Sequence, residues 1–279
     1  MRRIIVFIFQ LFACIVAAIS AGDGINNSIA MQYDEIVYYS DSKLGLHSKQ
    51  IFFGHQSVGD NIVKGLCNLQ MSNKSFKLKI IEGDYIDPAA DNVGGVLFHA
   101  KIGHNKDPKS KLLEFREILK KDHAGILDIA FMKFCYLDIQ ANTDIKELFA
   151  YYSSFFSKLE KEHPNIQFLH FTVPLITKPT GIKSKIKSMI GMAVYGIDDN
   201  IKRNEFNELM RNKYGAKVFD IAALESTYPD GKRSTFNKYK KTYYALASEY
   251  ATDRGHLNAK FGKSIASKLL YFLSSVDNH

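Results

Sequence analysis

Ile51-Phe52-Phe53-Gly54-His55-Gln56-Ser57-Val58-Gly59 is the stretch whose reading decides the fold. An apolar run stops at a glycine, and a serine follows within three residues. Val58, Ile62, Val63, Leu66 and Leu69 then recur at helical spacing. The pattern predicts a short buried strand over 51–53 that turns into a helix with Ser57 at its start. Downstream the same alternation repeats. Apolar runs at 76–81, 126–134, 166–173 and 216–224 read as strands, the third stopped by Pro174 and the last ending at Asp220. The run 126–134 is continuous, as expected of a strand covered on both faces. Helical spacing marks 112–119, 145–159, 201–214 and a last helix carrying Phe261, Ile265, Leu269, Leu270 and Leu273. Five strands alternating with helices predict an α/β fold: a five-stranded parallel sheet in a three-layer α/β/α arrangement.

The N-terminus stands apart. Met1-Arg2-Arg3 is a short basic head, 4–21 is almost wholly apolar and ends in small residues, and Gly22-Asp23-Gly24 breaks the run. This is the pattern of a secretory signal peptide over 1–21; the alternative is an uncleaved membrane anchor, because the run is about long enough to span a bilayer. The expectation is therefore an exported protein, periplasmic or extracellular, whose contact with a membrane is limited to that segment. Residues 22–48 are polar and irregular and read as an extension wrapping one domain over 49–279. The segment 181–196 is basic, contains Met189, Met192 and Tyr195, and reads as a surface loop or a flap.

Composition narrows the function classes. The chain is 46% hydrophobic and 24% charged, with a formal net charge of +8. Its lysines are scattered along the sequence and read as a solvated surface that favours anionic glycans or a membrane face. No nucleic-acid-binding motif is present. Nine histidines invite a search for a metal site, but neither H-E-x-x-H nor C-x-x-C occurs, and no phosphate-binding or dinucleotide loop appears. No cofactor and no metal are expected. Cys14 leaves with the signal segment, and Cys67 and Cys135 remain. Cys67 lies roughly 15 Å down the first helix at 1.5 Å per residue, whereas Cys135 sits at the end of a strand. Two buried free thiols are therefore expected in place of a disulfide.

In a parallel α/β sheet, ligands bind beyond the C-terminal ends of the strands. Ser57 falls there, at a helix start where backbone N–H groups converge. A serine hydroxyl needs a base to take its proton. The stretch Asp253-Arg254-Gly255-His256-Leu257-Asn258 supplies one: His256 as the base, with Asp253 three residues earlier to hold its imidazole. Each residue also has a purely structural reading. Ser57 with Asp60 forms an S-x-x-D capping box, Asp253 could cap the last helix, and His256 could be a surface residue of its first turn.

These blocks resemble those of the SGNH/GDSL hydrolases, esterases and deacetylases built on a flavodoxin-like sheet. Their nucleophilic serine follows the first strand, and an Asp-x-x-His pair precedes the last helix. The matching positions are Ser57, Asp253 and His256, and Asp253-Arg254-Gly255-His256-Leu257-Asn258-Ala259-Lys260-Phe261-Gly262 is similar to the family's last block. The likeness spans about residues 50–275. Two features depart from the family pattern. Gly54-His55-Gln56-Ser57 is one residue longer than Gly-Asp-Ser, and Met132-Lys133-Phe134-Cys135-Tyr136-Leu137-Asp138 lacks the asparagine that the family aims at the oxyanion. The resemblance implies an oxyanion hole made by the N–H groups of Ser57 and Gly103, with Asn105 as a side-chain donor, since Ile102-Gly103-His104-Asn105 follows the second strand and precedes a helix. Lys133 and Tyr136 are further candidates for that role. His55, Gln56, Lys133 and Tyr136 are candidate substrate contacts. The implied function is an exported serine esterase or carbohydrate deacetylase acting on an acylated carbohydrate or another small ester. The alternatives are a polysaccharide O-acyltransferase on the same site and a non-catalytic glycan-binding relative.

Overall fold

The computed structural model describes residues 45–73, 76, 78–83, 94–122, 125–179 and 196–276. The expected signal segment, Cys14, residues 22–44 of the extension and residues 181–195 of the basic segment lie outside the described residues.

Strand β1 (Gln50–His55) is buried at every position. It pairs in parallel with β3 (Val96–Lys101) on one side and β4 (Ile129–Met132) on the other. Strands β2 (Lys79–Glu82), β5 (Gln167–Phe171) and β6 (Val218–Phe219) complete a six-stranded sheet of order β2-β3-β1-β4-β5-β6, all of whose pairings are parallel. The sheet thus has one strand more than expected. The additional strand is β3, which displaces the expected second strand to the sheet edge. The loop carrying Gly103 follows β3 and not the second strand. A second departure is an antiparallel hairpin, β7 (Thr235–Lys238) and β8 (Lys241–Tyr244). The expected strand over 216–224 shrinks to two residues, because Asp220 accepts a hydrogen bond from the Ala223 N–H and starts a short helix there.

Helices α1 (Val58–Ser72), α5 (Ile221–Ser226) and α6 (Ala259–Ser275) pack on one face of the sheet, and α2 (Pro108–Leu119), α3 (Ile145–Glu162) and α4 (Ile197–Tyr214) on the other. The alternation of the strands sorts their side chains between these layers. Phe53, Phe131, Phe171 and Phe219, one from each of four adjacent strands, form an aromatic row under α1 and α6, with centroids 4.9, 5.2 and 4.8 Å apart. Phe52, Ala130 and Phe168 face the other layer. Cys67 is half-buried, Cys135 is buried, and both are free thiols. Among the described residues, no helix is long and apolar enough to cross a membrane.

Strand β1 is flanked by β3 and β4, so the chain leaves it toward one half of the sheet and later returns to build the other. A crevice opens at the carboxyl end of such a switch point. Ser57 stands there.

Candidate active site

Ser57 occupies the N-cap position of α1 with φ 56° and ψ −105°, a left-handed backbone that a serine seldom adopts. Its hydroxyl makes no capping bond to the helix. Instead, Oγ lies 2.6 Å from Nε2 of His256, 199 residues away in sequence. The strained turn between strand and helix lifts the hydroxyl clear of the helix and aims it across the sheet edge. Gly59 permits this path, since a Cβ there would sit 2.3 Å from the Cβ of His55.

His256 Nδ1 lies 2.7 Å from Asp253 Oδ2. The other oxygen, Oδ1, accepts the N–H groups of Gly255 at 2.8 Å and His256 at 2.9 Å. Desolvation disfavours the charged carboxylate, but these three donors outweigh it and hold the Asp253 carboxyl below its ordinary range. An ionised carboxylate only accepts, so Nδ1 carries a proton, and in the neutral imidazole Nε2 is left to accept from Ser57. Asp253 does not cap α6. Asn258 does, accepting from the Phe261 N–H at 2.9 Å. The His256 and Asp253 side chains are 37% and 55% exposed, so the relay opens directly onto solvent.

Tyr136 forms the wall behind His256. Its ring meets the imidazole edge-on, with centroids 5.8 Å apart and an interplanar angle of 79°. Gly255 lies flat on the same ring, where a Cβ would come within 2.5 Å of Cε1. The Tyr136 carbonyl accepts from the buried Arg203 Nε at 2.7 Å, and Arg203 in turn donates to Asn200 Oδ1 at 2.8 Å. The sequence marked Tyr136 as a candidate oxyanion donor and substrate contact. Its packing on the relay, and the role of Arg203, have no short-range signal in the sequence.

The other candidates scatter. His55 belongs to the core and not to a substrate rim: its ring is buried, and Nε2 lies 3.1 Å from Nδ1 of His99. Burial, with the positive charge nearby, pushes its pKa down to about 2, so it stays neutral. Gln56 spends its side-chain amide on the carbonyls of Ile102 and Gly103 at 3.3 and 3.0 Å, tying the serine turn to the loop after β3. The Gly103 N–H donates to Glu114 Oε2 at 2.6 Å and is therefore not offered to a substrate oxyanion. Asn105 is exposed, and its Oδ1 accepts from Lys111 Nζ at 3.1 Å. Lys111 also pairs with Asp138 at 2.5 Å, with both side chains fully buried. An ammonium only donates, so Lys111 holds the Asn105 amide by its oxygen and leaves the NH₂ group to other partners. Lys133 is buried below the surface, its Nζ 3.3 Å from the Phe134 carbonyl. Burial lowers its pKa to about 8 and raises that of neighbouring Glu225, likewise to about 8.

No family model matches the chain, and no curated protein matches it. Solved structures give weak likenesses. A candidate platelet activating factor from Streptococcus pneumoniae aligns at 15% identity and a TM-score of 0.48, covering 92% of this chain and 99% of its own. A candidate GDSL-like lipase from Parabacteroides merdae aligns at 12% identity and a TM-score of 0.44, covering 81% and 97%. The periplasmic domain of a lipopolysaccharide acetyltransferase from Salmonella ser. Paratyphi A aligns at 14% and 0.39, covering 84% of each chain. Identity this low carries over no residue and no activity, and the site stands on its own geometry. In its three-layer fold and in the order of its serine and Asp-x-x-His blocks, the chain resembles the SGNH/GDSL hydrolases.

Proposed function

We propose that this protein is an exported serine hydrolase that cleaves carboxylic ester bonds in an acylated carbohydrate or another small ester. One observation carries the reading: the Ser57 hydroxyl forgoes its helix cap and lies 2.6 Å from an imidazole whose other nitrogen is held by a carboxylate. A structural serine at a helix start would bond to its own helix.

In this reading Ser57 Oγ attacks the acyl carbonyl while His256 Nε2 takes its proton, and Asp253 stabilises the imidazolium. The tetrahedral oxyanion collapses to the acyl-enzyme, and the leaving alcohol departs with the proton from His256. Water, deprotonated by the same imidazole, then attacks the acyl-enzyme, and Ser57 recovers its proton. In this reading the Ser57 N–H and the Asn105 NH₂ are the oxyanion donors. Asn105 takes the part that the block after β4 lacks. Removing one such donor typically costs about 10²–10³ in rate, so Asn105→Ala is expected to lower kcat on p-nitrophenyl acetate by that order with KM little changed.

The decisive experiment combines a fluorophosphonate probe with p-nitrophenyl acetate hydrolysis. Wild type is expected to label at Ser57 and to turn over the ester, and Ser57→Ala to do neither. An unlabelled but folded wild type defeats the reading in favour of a non-catalytic binder. Transfer to a sugar hydroxyl uses the same relay, with the acceptor replacing water, and product analysis with a glycan acceptor separates the two reactions.

A further inference from the structure

The β7–β8 hairpin is built at a cost that the fold does not explain. Lys238 pairs with Lys241, leaving Tyr239 and Lys240 as a two-residue loop. Both have positive φ, 51° and 59°. A loop with φ > 0 at both central positions is the type I′ turn, which selects Asn-Gly because other side chains crowd their own backbone there. Here it holds a tyrosine and a lysine. Burial gives no compensation, since Tyr239 is 73% exposed.

The rest of the hairpin is anchored to the domain. The Lys178 ammonium donates to the Thr235 carbonyl at 2.9 Å. Asn204 donates to the Tyr244 carbonyl at 3.0 Å and accepts its N–H at 3.1 Å. Lys238 is paired with Asp198 and stands 5.0 Å from the Tyr239 ring centroid. The Arg233 guanidinium covers the Tyr244 ring at 3.9 Å. Between Lys232 and Tyr244 the chain carries Lys232, Arg233, Lys238, Lys240 and Lys241 and no carboxylate. Lys240 and Lys241 are exposed and enter no ion pair among the described residues. The open end of the hairpin, opposite its tip, is tied to the loop of the candidate active site. Thr177, next to Lys178, bridges to Leu246 and donates to the carbonyl of Arg254, between Asp253 and His256.

We propose that this hairpin tip binds an anionic polysaccharide, the Tyr239 ring taking the C–H face of a sugar and Lys240 and Lys241 its carboxylate or phosphate groups. A glycan is favoured over an anionic bilayer because the tip offers one phenol and no aliphatic side chain to insert. Phe236 and Tyr243 are half-buried and stacked on each other at 5.6 Å. The proposal deepens the ester-hydrolysis reading by naming the substrate's chemistry, yet binding is measured without turnover, so either can fail alone.

The test is affinity electrophoresis of the full chain in gels containing polygalacturonate or, for comparison, neutral dextran. Polygalacturonate is expected to retard wild type and dextran not to. Retardation should fall as salt rises from about 0.05 to 0.3 M, because screening shortens the reach of exposed charges. Lys240→Glu with Lys241→Glu is expected to abolish it. The charge-matched control, Lys158→Glu with Lys161→Glu on exposed α3 positions, should keep most of it. Equal loss in the control would reduce the effect to net charge and overturn the proposal. Tyr239→Asn with Lys240→Gly separates binding from folding. It installs the residues that the turn prefers, so Tm should rise while affinity falls by roughly fivefold or more, the scale of one lost ring contact and one lost charge. Undiminished binding in that variant sinks the proposal. So does a wild type that sediments with phosphatidylcholine–phosphatidylglycerol vesicles but ignores polygalacturonate.

Discussion

Ser57 has two competing uses for its hydroxyl, the helix cap and the imidazole, and the backbone at φ 56° settles the choice by pointing Oγ away from the helix. Holding a residue in such a conformation costs on the order of 1–3 kcal/mol, and strain of that kind persists where the surrounding structure over-determines it. If the hydrolase reading holds, Asp253→Asn leaves the loop's shape largely intact but favours the wrong imidazole tautomer. It is expected to lower kcat by on the order of 10⁴, read on p-nitrophenyl acetate, with the fold unchanged by circular dichroism. Tyr136 acts on the relay only through His256 and Gly255. Tyr136→Ala should lower kcat with little change in KM and should broaden or shift the downfield imidazole proton resonance of His256. Tyr136→Phe keeps the ring wall and should restore both. Loss of activity in Tyr136→Phe equal to that in Tyr136→Ala would show that the ring is not what positions the histidine.

At the scale of elements, the distance between Ser57 and His256 is a property of the α1–α6 interface. The serine begins α1, and the histidine precedes α6 by three residues. The two helices approach closely because Gly65 has no side chain: a Cβ there would come within 2.4 Å of the Gly262 carbonyl oxygen. Asn61 adds a bond across the same seam, its Oδ1 accepting from the Leu257 N–H at 3.2 Å. Gly65→Ala meets backbone on the far side and cannot be absorbed by a side-chain rotation. It is expected to cost about 1–3 kcal/mol as overpacking does, read by urea denaturation, and to slow fluorophosphonate labelling of Ser57 as the helices part. Unchanged stability would mean that the seam relaxes freely. The sequence carries α1 and α6 plainly in their apolar periodicity. The close crossing has no such mark, because a glycine inside a helix looks the same whether it faces solvent or another backbone.

The molecule as a whole buries charge beneath the site. Glu225 is raised by burial from 4.5 to about 8, and Lys133 is lowered by burial from 10.5 to about 8. For Glu225 the folded value lies above the unfolded one, so its contribution to stability is full below about pH 4.5 and lost as pH rises toward 8. For Lys133 the folded value lies below the unfolded one, so stability is lost as pH falls from 10.5 toward 8. The pair's contribution thus has its minimum near pH 8. Thermal melts across this range should show Glu225→Gln flattening chiefly the acid-side arm and Lys133→Met chiefly the alkaline-side arm. If neither variant changes the pH profile, the two groups do not titrate as their burial requires.

What the sequence determined by itself was periodic or local. Apolar runs of strand length and helical spacing gave the α/β layering, and the serine after β1 with Asp253 and His256 before α6 gave three residues that the fold joins by hydrogen bonds. Those features depend on neighbours a few residues apart. The tertiary structure decided what depends on residues far apart. Strand β3 takes the place beside β1, an order that no local pattern encodes. Gly103 gives its N–H to Glu114 and His55 turns into the core, because the partners that claim them come from other elements. Ser57 is joined to His256 across 199 residues because α1 and α6 meet glycine to backbone, and a contact made by the absence of a side chain leaves no residue in the sequence to announce it.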